Sequence, residues 1–550
     1  MNALKKLAVA VSLISGSQAG FALTPWTDGA PDLVIYTSGG PALDKAFEKI
    51  VTNTLADANS VDVFSDVAST GTIGGRWQSF YFTGKANLGS PLAGKKIILE
   101  KRTYGSGGYG VVPLVANDGN GLLLEHLKIE SLPATAWDAD GATGKRWKKS
   151  LSGTNAATYL GKVVSDAGFL ALDPVTLLKP ATENYPEQVK ELISGDFEPD
   201  WPQDLSKMPE NFTVIGTGGY VYGVEVTEDL YRVLQAAQQK SGTLPSDITI
   251  GAYSDAAMPS LNRNFLASIL AGKVANWEQI KIVDKLTGTA VPLTDPSILA
   301  AAGVSAPPLN QDGITPVGVG RRNKGATSGA VAYARFLGYP GTARSYPPAA
   351  NTANSEDKTA APIVKSPTSL GATDFLLIDW QSGTNISTLN PTLTKVWGIA
   401  ITGGDRDSGA SAAGTGGKPW RYIKIDGSAP TIENVAAGNY PFWAEGTVLY
   451  PTDKPSDPQW STKKALLKVF AEDMGSPSLA KTVNTQLTFG FSGIFATTKD
   501  PRGFKASVPF DPANPVVALT HNCVGTTTTS AAIVPVADDT ATGGLQLQLK

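Results

Sequence analysis

Paired arginines followed by small and hydroxyl-bearing residues form the segment of this chain best suited to chemistry. It runs Val317-Gly318-Val319-Gly320-Arg321-Arg322-Asn323-Lys324-Gly325-Ala326-Thr327-Ser328-Gly329. An apolar, strand-like stretch enters the arginines, and a helix-like pattern at Val331, Tyr333, Phe336 and Leu337 follows the turn. A helix start leaves backbone N–H groups without intrahelical partners, and its dipole favours negative charge. An adjacent guanidinium adds planar donors that match phosphate or carboxylate. These residues suit an anion cradle. An ordinary surface turn with solvated arginines is the equal alternative for this segment alone.

Three further turns share its character. Thr37-Ser38-Gly39-Gly40 lies between a strand pattern at 33–36 and an amphipathic helix pattern at 42–51, the place where open α/β sheets hold ligands. Gly105-Ser106-Gly107-Gly108 follows the next strand pattern, 96–100. Ser165-Asp166-Ala167 adds a carboxylate among small residues. A carboxylate accepts a hydrogen bond from a protonated oxyanion such as hydrogen phosphate and repels a fully ionised one such as sulfate. A loop or helix-capping role is the plain alternative for Asp166.

Other chemistries lack their residues. The two histidines, His126 and His521, have no metal-ligand spacing and no cysteine partners, since Cys523 is alone. There is no Gly-x-Ser-x-Gly elbow, and Gly141-Ala-Thr-Gly-Lys-Arg lacks the spacing of a nucleotide-binding loop. Asp405 and Asp407, in a glycine loop, read as solvated turn residues. A net charge of −3 leaves no footprint for nucleic acid, and the Lys145-Arg146-Trp147-Lys148-Lys149 patch reads as a solvated loop. The sequence therefore predicts a binding protein without catalytic residues, cofactor or metal. A phosphate-ester hydrolase is a weaker alternative, short of a positioned base.

The 550 residues are enough for two lobes with their own cores. Strand-like and helix-like runs alternate over most of the length, which predicts α/β architecture. A buried strand is expected over 214–226, helices over 227–240, 261–270 and 462–474, a surface excursion over 341–369 and a mobile glycine loop over 402–417. The N-terminus has the layout of a secretory signal: Lys5 and Lys6, an apolar run from Leu7 to Ile14, and small residues before Ala22. With a single cysteine, export to a bacterial periplasm or medium is the expectation. Residues 525–544 are of low complexity.

The stretch Phe265-Leu-Ala-Ser-Ile-Leu-Ala-Gly-Lys-Val-Ala-Asn-Trp-Glu-Gln-Ile280 resembles the "I-x-x-G-K-I-x-x-W-x-x-x-x-I" signature of the phosphate ABC-transporter solute-binding proteins. This is a branch of the type II periplasmic binding proteins that includes the DING proteins. The strand 213–226 and the segments 425–435 and 438–441 are similar to that family's lobe-crossing regions. The resemblance implies a two-lobed α/β clamp with two crossover strands and an oxyanion buried between the lobes. It divides the chain into a signal peptide 1–22, a first lobe 23–220 with an insertion about 52–95, a second lobe 221–439, a return to the first lobe 440–500, and an extension 501–550.

Carried over by position, the resemblance implies phosphate binding by Ser38, Gly39, Gly40, Ser106, Asp166, Arg322, Thr327 and Ser328, with Arg322 favoured over Arg321. Ala326 stands where the family has a serine, and the first loop lacks the family's threonine. A monomer serving a membrane permease is implied, with inorganic phosphate or a related oxyanion as ligand. A secreted surface or matrix protein that kept the scaffold and changed its ligand is the rival.

Overall fold

The computed structural model describes residues 29–67, 73–104, 107–115, 121–133, 136–140, 145–151, 156–172, 174, 211–323, 325–339, 346–352 and 361–498, with the backbone of 516–520. The expected signal segment 1–22, Ser106, His521, Cys523 and most of 501–550 lie outside the described residues.

Three parallel strands organise the first lobe. Leu33–Gly39 pairs with Lys96–Arg102 on one side and with Ala167–Leu170 on the other, so their C-terminal ends share one edge. Alternation along the first strand sends Leu33 and Ile35 into the core. Behind them the helix Asp44–Ile50 inserts Phe47, whose ring lies 5.5 Å from Phe169 and 4.6 Å from Phe470. Residues 52–95 contribute the antiparallel strands Asp62–Val67 and Ile73–Thr83, which widen this sheet beyond Lys96–Arg102. The basic patch corrects an expectation. Arg146–Ser150 is a strand, parallel to Asp62–Val67, with Lys148 and Lys149 paired to Asp140 and Asp138.

One long strand, Phe212–Thr227, carries the chain between lobes. Its first part pairs antiparallel with the return strand Trp443–Pro451, up to Val221 opposite Trp443; its second part pairs with Gly398–Gly403, starting at Tyr222 opposite Gly403. Trp443–Pro451 also pairs with Ala167–Leu170. Two antiparallel strands thus join the lobes, the α/β arrangement the sequence predicts. The crossing strand's glycines answer to packing. A Cβ on Gly219 would fall 1.9 Å from the Phe495 ring, and one on Gly223 2.3 Å from Tyr422.

In the second lobe Gly318–Gly320 lies parallel between Ile363–Lys365 and Gly398–Gly403, with the helix Leu370–Ser382 packed on them. The helix Glu228–Ser241 starts with two acidic residues and ends at Gly242, whose φ of 77° is the left-handed cap that glycine adopts without strain. Trp277, from the Gly-Lys…Trp motif, is wholly buried and donates its Nε1–H to the Trp397 carbonyl. That motif builds the second lobe's core. The loop expected to be mobile at 402–417 is instead tied down: Thr402, Ser408 and Ala410 are buried, and Ser411 and Thr415 share a 2.8 Å hydroxyl bond. Among the described residues no helix is long and apolar enough to cross a membrane.

Candidate functional site

A cavity of about 210 Å³ lies between the lobes. The first lobe contributes Pro41, Ala42, Asp44, Lys45 and Ala46, which follow the Ser38-Gly39-Gly40 loop; the crossing strand contributes Tyr220 to Tyr222; the second lobe contributes Arg322, Thr327, Ser328, Asp405 and Arg406. The strand Gly318–Gly320 aims the chain at this space, and Gly325, at φ 75°, turns it into the helix Thr327–Ala332. Ala326 precedes that helix with no side-chain cap, as its missing hydroxyl requires.

Arg322 is 3% exposed and bonds only neutral acceptors: Thr373 Oγ1 at 3.3 Å and the Thr368 carbonyl at 3.4 Å. Its Nε has no acceptor among the described residues. Burial pushes its pKa down to about 10, so it stays cationic near neutrality. Arg321 faces elsewhere, with its Nε 3.2 Å from Ser366 Oγ, and does not line the cavity.

Arg406 supplies a second guanidinium. Asp374 Oδ2 accepts from both Arg406 and Lys418 at 2.5 Å. Burial works against the Arg406 charge, but Asp374 more than offsets it and holds the pKa above its usual value. Near this trio Glu225 is fully buried with no ion-pair partner among the described residues, and burial followed by Asp374 pushes its pKa far above the carboxylate range. Each of the two carboxylates lining the cavity has its own lysine. Asp44 pairs with the buried Lys101 at 2.6 Å, and Asp405 pairs across the lobes with Lys45 at 3.0 Å. Among the described residues Arg322 has no carboxylate of its own. Cations exceed ionised carboxylates here, which sets a positive field over a small cleft.

The glycine turns meet at the lobe junction without lining the cavity. A Cβ on Gly40 would lie 3.1 Å from Gly107 Cα, and one on Gly107 only 2.1 Å from Thr327 Cγ2. Gly108 N–H donates to the Gly325 carbonyl at 3.1 Å, a backbone bond between lobes. Gly39 packs on Phe169, and the Ser38 hydroxyl is spent on the Tyr109 carbonyl at 2.7 Å. Thus Arg322, Thr327 and Ser328 line the space, Gly39 and Gly40 lie behind it, and Ser38 turns its hydroxyl away.

Asp166 requires a correction, because it does not line the cavity. It sits just before Ala167, which pairs with Thr37, and so is level with the middle of the first strand rather than its C-terminal end. Its oxygens accept from Tyr36 N–H at 3.0 Å, Lys454 at 3.3 Å and Lys463 at 3.0 Å. It is a buried structural ion pair. The expectation of solvated Asp405 is corrected likewise. Arg406, Asp405, Asp44 and Lys45 were missed by sequence reasoning, although Asp405-Arg406 follows an apolar strand at its C-terminal end, the signal used for the other loops.

His126 joins Glu100 at 2.6 Å and Ser165 at 2.9 Å, an arrangement of nucleophile, base and orienting acid. All three are at most 1% exposed and none lines the cavity, so no substrate reaches them and they act as a polar core network.

No protein-family model and no curated protein matches the chain. Among solved structures it is similar to a DING protein at 11% identity and TM-score 0.31, covering 81% of this chain and 89% of that one. It is similar to the phosphate-binding protein of Stenotrophomonas maltophilia at 11% identity and TM-score 0.24, covering 58% and 76% of the two chains. An ABC-type phosphate transport receptor of Vibrio cholerae is 13% identical, with TM-score 0.23 and 47% and 67% covered. Likenesses of this size assign no function.

Proposed function

We propose that this chain binds a small oxyanion, phosphate first among them, in the cavity between its lobes, and that one lobe closes on the other around it. The observation that carries the proposal is Arg322. It is a buried guanidinium with an unsatisfied Nε and only neutral partners, and it lines a space too small for a drug-sized ligand. Such a charge is costly to bury unpaired, and an incoming anion supplies the missing partner. Arg406, fixed by Asp374, is the second donor. Thr327 and Ser328 offer hydroxyls from the second lobe, and Lys45–Asp405 and Gly108–Gly325 fasten the closed form.

The sequence resemblance supports phosphate as the anion and hand-over to a membrane permease by a monomer. The signal-like N-terminus supports export. Titration calorimetry with phosphate, arsenate, sulfate and methylphosphonate tests the ligand, with saturable phosphate binding expected. A flat titration across the whole panel would favour a scaffold that has lost its ligand. Recovery of the full chain in the periplasm or medium of a bacterial host tests export, and retention in the cytoplasm would remove it.

A further inference from the structure

The second lobe contains another cavity, of about 200 Å³. It shares no lining residue with the interlobe cavity. Trp397 lines it just before the strand Gly398–Gly403, and Gly403, at the far end of that strand, lines the interlobe space. At about 3.3 Å per residue the strand keeps the two cavities roughly 20 Å apart.

It opens to the surface, and one of its uncommitted polar groups is buried. Trp397 is 2% exposed and its indole Nε1 has no acceptor among the described residues, although the same residue's carbonyl is taken by Trp277. Asp229, in the first turn of the helix Glu228–Ser241, and Lys395 both line the cavity, and neither has an ion-pair partner among the described residues. Gln381 accepts the Asp229 N–H through Oε1 at 3.0 Å, which leaves its amide nitrogen as a donor. Trp380 and Pro307, both buried, also line it, together with the exposed Gly303, Ser305, Ala306 and Pro308.

We propose that this cavity is a second ligand site, for a small zwitterion of the α-amino-acid class. Lys395, the Trp397 indole and the Gln381 amide are three donors for a carboxylate. Asp229 is the acceptor for an ammonium group. A neutral or singly charged ligand would satisfy only half of this set. The volume suits a small side chain, since it falls below that of drug-sized pockets.

The test uses the full-length protein labelled with 15N and the indole N–H signals of its tryptophans. Trp397→Phe identifies the Trp397 signal. Titration with glycine or L-alanine is expected to move that signal saturably, while acetate and glycinamide move it far less and phosphate leaves it in place. Lys395→Ala and Asp229→Asn are each expected to weaken the response at least about tenfold, the loss of one charge-assisted hydrogen bond. Lys395 is exposed, so its variant keeps the wild-type melting temperature. No movement at high glycine, meaning a cavity filled by water only, overturns the proposal. An equal response to acetate, or one unchanged by Lys395→Ala, overturns it as well.

Discussion

Replacing Arg322 with methionine should push stability and affinity in opposite directions. In the free protein the guanidinium is 3% exposed and has no carboxylate. Burial holds it down to about 10, which corresponds to a penalty of roughly 3 kcal/mol against its state in water. Methionine keeps the stem and discards the charge. Thr373 loses a donor but keeps its own bond to the Ser369 carbonyl at 3.1 Å. Exchanging buried ionic groups for hydrophobic ones stabilises by about 1–4 kcal/mol in comparable cases, so the free Arg322→Met variant should melt a few degrees higher. With phosphate the sign reverses. Removing one partner of a buried charge pair costs about 2–5 kcal/mol, an affinity loss of roughly 30- to 5,000-fold. Scanning calorimetry with and without phosphate reads both effects. Phosphate should raise the wild-type melting temperature as mass action requires, by about 4 kcal/mol of stability at a thousandfold excess over Kd. The variant should start higher and respond little. A variant that is less stable when free, yet gains as much from phosphate as wild type, would refute the assignment of Arg322.

Three other perturbations follow from the same geometry. Gly107→Ala places a Cβ against Thr327 across the lobe junction and should weaken phosphate binding by about 1–3 kcal/mol, as overpacking does; adding Thr327→Ser, which removes the clashing methyl, should restore it in calorimetry. Asp166→Asn should lower stability in denaturant titrations by about 1–3 kcal/mol, because Lys463 and Lys454 lose the negative charge of their buried partner, while the phosphate-to-sulfate ratio stays at the wild-type value. A changed ratio would return Asp166 to the ligand site. Glu225 has a folded pKa raised above its unfolded value of about 4.3. Its stabilising share is therefore complete below that unfolded value and is lost as pH rises through the folded one. Glu225→Gln should flatten the stability loss on the alkaline side in urea titrations, and an unchanged slope would rule Glu225 out as its source.

Much of the fold is legible because it is local. Phe212–Thr227 advertises itself by β-branched and aromatic residues spaced by glycines, and Glu228–Ser241 by acidic residues at its start and glycine past its end. The strand-turn-helix at Arg322 is legible for the same reason. The site as a whole is less so, because its chemistry is decided by distant partners. Asp166 meets Lys454 and Lys463, 288 and 297 positions away, and once paired it has no role for a ligand. Asp405 meets Lys45 across 360 positions. Composition alone made 402–417 a floppy glycine loop, whereas the fold fastens Asp405 to Lys45 and Arg406 to Asp374 and so turns that loop into one wall of the cavity.

The widened sheet of the first lobe also bears on how this protein would meet its copies. Adding Asp62–Val67 and Ile73–Thr83 moves the sheet's margin outward to Arg146–Ser150, which among the described residues only the two-residue strand Asp138–Ala139 covers. A margin of that kind exposes backbone donors and acceptors on which another chain could build. Here the margin is written Arg-Trp-Lys-Lys-Ser, and its cations are paired to Glu48, Asp140 and Asp138, so a second copy laid alongside would have to disturb those pairs. The charged margin thus discourages self-assembly at this edge of the enlarged sheet, and replacing Lys148 and Lys149 with apolar residues should make the protein prone to filament growth from it.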